Sequence, residues 1–229
     1  MLLFPGPPPV TISLRRSARA RRFSLRISQH SGEVTLSMPT RAREAEALAF
    51  AQAQEGWIRA ALARLPVAQT VGIGAQLPFE GRMLQIAAGA GRSVRQEADQ
   101  LLVPGDPARA SVRVATFLKL RARDRLAAAS DHYAAQIGRR VERMTLRDTR
   151  SRWGSCAADG ALMYSWRLIM APPSVLNYVA AHEVAHMVEM NHSDRFWAVV
   201  ARLSPGWQTE RAWLKRHGGA LQSLRFETD

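Results

Sequence analysis

Lysine is almost missing from this sequence: Lys119 and Lys215 are the two in 229 residues, and arginine supplies the rest of a formal net charge of +13. Cysteine is scarcer still. The one thiol, Cys156, excludes an internal disulfide framework and fits a reducing compartment. No apolar run reaches the roughly eighteen residues that a membrane crossing requires. The opening MLLFPGPPPV has no basic residue ahead of its short apolar patch and passes straight into prolines, a poor signal peptide. The expectation is a cytoplasmic chain with no membrane partner. Internal repeats, low-complexity tracts and a Gly-rich phosphate loop of the P-loop kind are absent from the sequence as well.

What remains is a chain long enough for one large domain or two small ones, with 47% hydrophobic residues to build a core. A surface so rich in arginine attracts polyanions without sequence preference, so nucleic acid or nucleotide is a possible partner. Arginines spread over solvated faces account for the same charge without any such contact.

Residues 10–14, 23–27 and 34–38 alternate polar and apolar and read as strands. Arg15, Arg16, Arg19, Arg21 and Arg22 fall between the first two, as a basic hairpin tip. A helix is expected from Thr40 to about Leu65, ended by Pro66. Residues 71–104 read as a small antiparallel sheet with tight turns at Glu80-Gly81 and at 89–91. Pro104-Gly105-Asp106-Pro107 punctuates the chain and marks the expected boundary between an N-terminal β-rich region, 1–107, and a second domain, 108–229. A long helix follows from Ala108 to about Ile137. Residues 144–147 and 162–169 read as strands, with a hairpin turn at Asp159-Gly160. Pro172-Pro173-Ser174 starts another helix, and helices are expected over 193–203 and 209–216, the last ended by Gly218-Gly219. The fold class is α+β.

The chemistry concentrates in YVAAHEVAHMVEMNHSDRFW, residues 178–197. His182 and His186 are four apart, one helical turn, and can point two imidazoles at one metal ion. Glu183 lies beside the first of them, placed to take a proton from water at that ion. HExxH alone also arises on ordinary helices. Here three of the six histidines fall within one short stretch, ending at His192, and Glu183 lies in an apolar run where an idle carboxylate is costly. A straight helix would carry His192 about 15 Å along its axis from His182, so the chain must turn back. Asn191 is the expected hinge, through its tolerance of left-handed backbone, and Ser193 or Asp194 the expected cap of the next helix.

Ser151-Arg152-Trp153-Gly154-Ser155-Cys156 preceded by Arg150, then 166–172 (WRLIMAP), 178–186 and 191–197, together resemble the YgjP-like metallopeptidases, zincin relatives of the SprT-type and WLM (Wss-type) proteases. The basic N-terminal region and the helix near Trp57-Ile58 look similar too, so the likeness covers nearly the whole chain. It implies a zincin-like metallopeptidase domain with a small β-hairpin over 108–229, a zinc ion held by His182, His186 and His192, and Glu183 as catalytic base. The interval from His186 to His192 is shared with metzincins, but Glu189 stands where those proteins have glycine, which argues against that group.

Three imidazoles leave a zinc position open for water. A negatively charged transition state then calls for a further donor, and Arg152, Arg167 and Tyr178 are the candidates. Tyr178 reads equally as a core residue. Trp153, Trp166 and Trp197 read as core or wall, Cys156 as a small buried residue, and His30, His132 and His217 as surface or capping residues. The strand over 162–169 is expected to offer an open edge to an extended peptide. The leading reading is a zinc-dependent peptidase acting on peptide or unfolded protein. A nucleoside triphosphate pyrophosphatase, to which such proteins have also been linked, and a nucleic-acid-associated module with a structural zinc are the alternatives. The last would want a fourth protein ligand, and the sequence offers no clear one.

Overall fold

The computed structural model describes residues 2–4, 8–28, 32–65, 67–149 and 151–226. His30, Pro66 and Arg150 lie outside them. The chain divides into two compact units, Met1–Val67 and Ala68–Asp229.

The first unit holds β1 (Leu2–Phe4), β2 (Val10–Ser17), β3 (Ser24–Ile27), β4 (Val34–Pro39), α1 (Glu44–Ala53) and α2 (Glu55–Ala63). Its sheet runs β1-β2-β4-β3. Ile12, Leu36, Met38, Ala47, Ala51 and Ile58 form its core. The Arg-rich link is not a hairpin tip, because β2 and β3 both pair with β4 and not with each other. The expected helix from Thr40 is two helices. The first opens after Arg43, whose N–H donates to the Glu46 carboxylate, and the chain breaks step at Gln54.

The second unit contains β5 (Gln69–Thr70), β6 (Gln76–Phe79), β7 (Arg82–Gly89), β8 (Arg95–Glu97), β9 (Gln100–Pro104), α3 (Ala110–Gln136), β10 (Met144–Arg147), β11 (Gly154–Cys156), β12 (Leu162–Ser165), α4 (Pro173–Ala185), α5 (Asp194–Leu203), α6 (Trp207–Ser223) and β13 (Leu224–Arg225). Glu80 (φ 49°) and Gly81 (φ 80°) make the tight turn from β6 to β7. The sheet over 76–104 is mixed rather than antiparallel, since β7 runs parallel to β9. The division expected at 107/108 cuts through one core: Leu77, Leu84, Ile86 and Leu101 of the sheet pack in the same cluster as Val114 and Leu118 of α3 and Val175 and Leu176 of α4. Burying both faces of that cluster requires sheet and helices together, so the chain divides after Val67 instead.

One arrangement occurs three times. In β2-β3-β4, β7-β8-β9 and β10-β11-β12, the third strand inserts between the first two, parallel to the first and antiparallel to the second. Helices α1, α3 and α4 follow in turn. Among the described residues no helix is long and apolar enough to cross a membrane.

Candidate metal centre

Pro173 occupies the first turn of α4, where its missing N–H costs nothing. Val175, Leu176, Val179, Ala180, Ala181, Val184 and Ala185 are all buried, so the helix is enclosed on most sides rather than laid on a surface. It presents His182 and Glu183 in its last turn and ends with His186 as its C-terminal cap. The reversal follows at once. Met187 N–H donates to the Val184 carbonyl (2.9 Å) and Glu189 N–H to that of Ala185 (3.0 Å). Asn191 is not among the residues of positive φ, so the expected left-handed hinge is not used. The return is made over residues 187–190 instead, because the backbone donors there find the helix's last carbonyls. Ser193 then caps α5, its Oγ accepting from Phe196 N–H at 3.5 Å.

This path brings His192 back to the other two imidazoles. One ligand atom from each of His182, His186 and His192 lies within 4.8 Å of the others, the one such three-residue cluster among the described residues. His182 Nε2 and His192 Nε2 face each other at 3.2 Å. His186 Nδ1 donates to the Glu189 carbonyl at 3.0 Å, which leaves its Nε2 with a lone pair. His182 Nδ1 is buried without a partner among the described residues. Phe196, fully buried, floors the cluster with its ring 4.9, 4.4 and 4.8 Å from the three imidazoles. Burial, then the neighbouring His186 and His192, pushes the His182 pKa down to about 3, so the ring is neutral and able to ligate. Burial lowers His186 as well. Three nitrogens held this close, with the His186 tautomer fixed from behind by the Glu189 carbonyl, fit a divalent ion.

Glu183 is 6% exposed and has no hydrogen-bond or ion-pair partner among the described residues. Burial pushes its pKa up to about 7, against the pull of Arg152. The carboxyl lies against Gly154 of β11: a Cβ there would stand 2.6 Å from both Cγ and Oε1 of Glu183. Together with Arg152, Trp153, Tyr178, Val179, His182, Arg211, Leu214 and Lys215 they line a cleft of about 360 Å³.

The candidate donors separate. Tyr178 and Arg152 line this cleft. Arg167 does not: its guanidinium is buried, bound to both oxygens of Asp148 (2.6 and 3.1 Å) and to the Leu221 and Leu224 carbonyls (2.8 and 2.9 Å). It ties the segment over 221–224 in place, with four of its five N–H donors committed away from the cleft. The strand expected over 162–169 ends at Ser165 and passes into a 3-10 turn, Trp166–Met170. It is also the central strand of its sheet, so the open edge next to Glu183 belongs to β11. Trp166 is core, Trp153 packs on Gly218, and Trp197 walls the site 5.8 Å from both His182 and His192. Burial and then the Glu183 charge push the half-buried Cys156 thiol up to about 11, which makes it a poor nucleophile. His132 contacts Gln136 and His217 lies on Trp213, both apart from the cluster.

Sequence reasoning missed Gly154 as the space for Glu183, Phe196 as the floor, and Arg211 and Lys215 as part of the wall. The last pair left one readable signal, a four-residue spacing on one helix.

The model of the family described as YgjP-like, metallopeptidase domain, matches residues 21–217, and this chain therefore belongs to the YgjP-like metallopeptidase family. Membership implies a divalent metal, and the three histidines are positioned to bind one. The crystal structure of the metallopeptidase zymogen of Pyrococcus abyssi abylysin is similar at 18% identity and a TM-score of 0.36, over 39% of this chain and 93% of that one. No curated protein matches the chain.

Proposed function

We propose that this metallopeptidase is a zinc-dependent peptidase in which His182, His186 and His192 hold the ion and Glu183 is the general base. The observation that carries this is the convergence of three imidazole nitrogens beside a buried, unpartnered carboxylate. The 3.2 Å between His182 Nε2 and His192 Nε2 is close to the separation of about 3.3 Å that two nitrogens take around a tetrahedral zinc with bonds of about 2.0–2.1 Å. Bound there, zinc would polarise the scissile carbonyl and make water nucleophilic near neutral pH.

The chain's own residues do the rest. Glu183 accepts the proton of the attacking water and passes it to the leaving amine, a task suited to a carboxyl whose pKa lies near the working pH. The Gly154 contact holds that carboxyl in one place. An extended peptide adds to the open edge of β11 by main-chain pairing, which lays its carbonyls along the row from Gly154 to Cys156. Tyr178 and Arg152 are the side chains in reach to stabilise negative charge as it develops. The single thiol fits work in the cytoplasm, on peptides or unfolded protein.

The test is zinc content of the purified protein, then Glu183→Gln against wild type on an unfolded protein, with and without DNA, and on a panel of nucleoside triphosphates. One zinc per chain and peptide release abolished in the variant are expected. Pyrophosphate release without peptide release would replace this reading with nucleotide hydrolysis. Bound zinc with neither activity would leave a structural ion.

A further inference from the structure

Arg211 reaches the metal cleft from α6 by an unusual support. Its guanidinium carbon stands 5.2 Å from the ring centre of Trp197 and 5.8 Å from that of Trp207. Those two indoles stack at 4.3 Å and 17°. Trp207 in turn stacks on Tyr178 at 6.4 Å and 14°, and Tyr178 meets His182 edge-on at 5.9 Å. A column of rings thus runs from a metal-site imidazole to a guanidinium held by packing on aromatic faces. Lys215 lies one turn further along α6 on the same face. Arg152 joins them from the segment before β11. The three cations line one cleft, and Glu183 is the one acid in its wall among the described residues.

Arginines line another cleft as well, with Arg92, Arg109 and Arg113 in its wall, but this one also holds Glu183 and His182. Arg82, Arg143 and Arg167 each have a carboxylate at 2.6–3.0 Å. Arg152, Arg211 and Lys215 have none among the described residues. The neighbouring cleft on the His186 side, about 510 Å³, is more nearly balanced: Arg139 and Arg140 stand with Glu142, while Asp159 is paired to Arg143 at 3.0 Å. Positive charge is therefore concentrated on one side of the metal centre. Three like charges around a cleft repel one another, and an incoming anion relieves that repulsion while the low-dielectric walls focus the field on it. The apolar lining of Trp153, Val179 and Leu214 suits the main chain and the methylene groups that carry such an anion.

We propose that Arg152, Arg211 and Lys215 select substrate by charge, so that the peptide cut beside Glu183 presents a carboxylate to that side of the scissile bond, either an Asp or Glu side chain or a free C-terminus. This rests on the peptidase reading above and adds the substrate class to it. Arg211 is the principal determinant because its position is set in advance by the indoles. The other side of the scissile bond, facing the more nearly balanced cleft, carries the weaker charge preference.

The probe is a set of peptides identical except for Glu, Gln or Lys at each position flanking the cut, each made with a free and an amidated C-terminus. Binding is read by tryptophan fluorescence on the metal-free Glu183→Gln protein, and cleavage on the zinc-loaded wild type. The expected result is binding of the Glu or free-carboxylate peptides at least about tenfold tighter than the Lys peptides at low salt, fading as salt is raised. Loss of the advantage on amidation assigns the carboxylate to the chain terminus, and its survival assigns it to the side chain. Lys215→Glu and Arg211→Gln should each shrink the preference, and the double variant Arg211→Glu/Lys215→Glu should reverse it. Thermal melts of each variant show that it is folded.

Equal binding of Glu and Lys peptides, or an order unchanged in the double variant, overturns the proposal. Cleavage of all peptides at one rate overturns it while leaving the peptidase reading intact. Acidic peptides that bind but are never cut sink the peptidase reading and keep the charge-selective site. A nucleoside triphosphate that binds more tightly than every acidic peptide overturns the assignment of the site to peptides.

Discussion

Gly154 decides how the Glu183 carboxyl is held. Its backbone conformation is open to any residue; what it supplies is space, since a Cβ would fall 2.6 Å from the Glu183 carboxyl. Gly154→Ala should therefore displace that carboxyl while leaving the imidazoles alone. The expected outcome is a loss of about 10²-fold in kcat/KM, the scale set by misplacements of about 1 Å, with zinc content by metal analysis unchanged. Glu183 also leaves a signature in the metal-free protein. Its pKa rises from 4.5 to about 7 on folding, so between those values the folded state holds a proton that the unfolded state has lost. The contribution is complete below pH 4.5 and is lost as pH rises through about 7. Glu183→Gln cannot lose it. Metal-free variant and wild type should melt alike near pH 4, and by pH 8 the variant should be the more stable by on the order of 2–3 kcal/mol. The low pKa of His182 acts with the opposite sign, its contribution failing as pH falls from 6.5 towards 3, but it is common to both proteins and cancels in the comparison. A difference that stays flat from pH 4 to pH 8 would contradict the burial of Glu183.

At the scale of elements, the inserted third strand recurs before α1, α3 and α4, and in its last appearance it makes the site. Because β12 takes the centre, β11 is left as an edge directly over the last turn of α4. Asp159-Gly160 announces the β11–β12 hairpin, with Gly160 at φ 80° as the turn demands. Nothing local announces that β10 will pair in parallel on the far side of β12, because that pairing is a long-range choice made by burial of Leu162 and Tyr164. Gly218-Gly219 misleads for a related reason. The pair reads as a helix stop, yet α6 runs through it to Ser223. A Cβ on Gly218 would meet Trp153 Cζ2 at 2.8 Å, so the glycine lets helix and indole close on each other. Gly218→Val should lower stability by about 1–3 kcal/mol through overpacking, despite the gain in backbone rigidity, and a thermal melt will read it as a lower Tm.

For the whole molecule, the two units have separate cores, and every residue of the candidate site lies in the second. Residues 68–229 expressed alone should unfold in a single cooperative transition and bind one zinc. Because an ion that binds only the folded chain stabilises it by mass action, a chelator should lower the Tm of this fragment and of the full chain alike. A fragment that is unfolded, or indifferent to chelation, would show that the second core or the ion site is incomplete without residues 1–67.

HEVAH, the third histidine and the cap at Ser193 were legible in the chain because they obey local rules: helical spacing, a turn before the third imidazole, an oxygen at the helix start. The sequence by itself thus determined the chemistry on offer, three imidazoles and a carboxylate within eleven residues, and the α+β class through its alternating and helical periods. Only the tertiary structure decided what surrounds that chemistry. It buried Arg167 against the half-exposed Asp148, brought Arg211 and Lys215 to the cleft from a helix that starts 15 residues after His192, set Gly154 against Glu183, and moved the division of the chain to Val67. Each of these depends on side chains far apart in sequence competing for one volume or one counter-charge, and no window along the chain contains that competition.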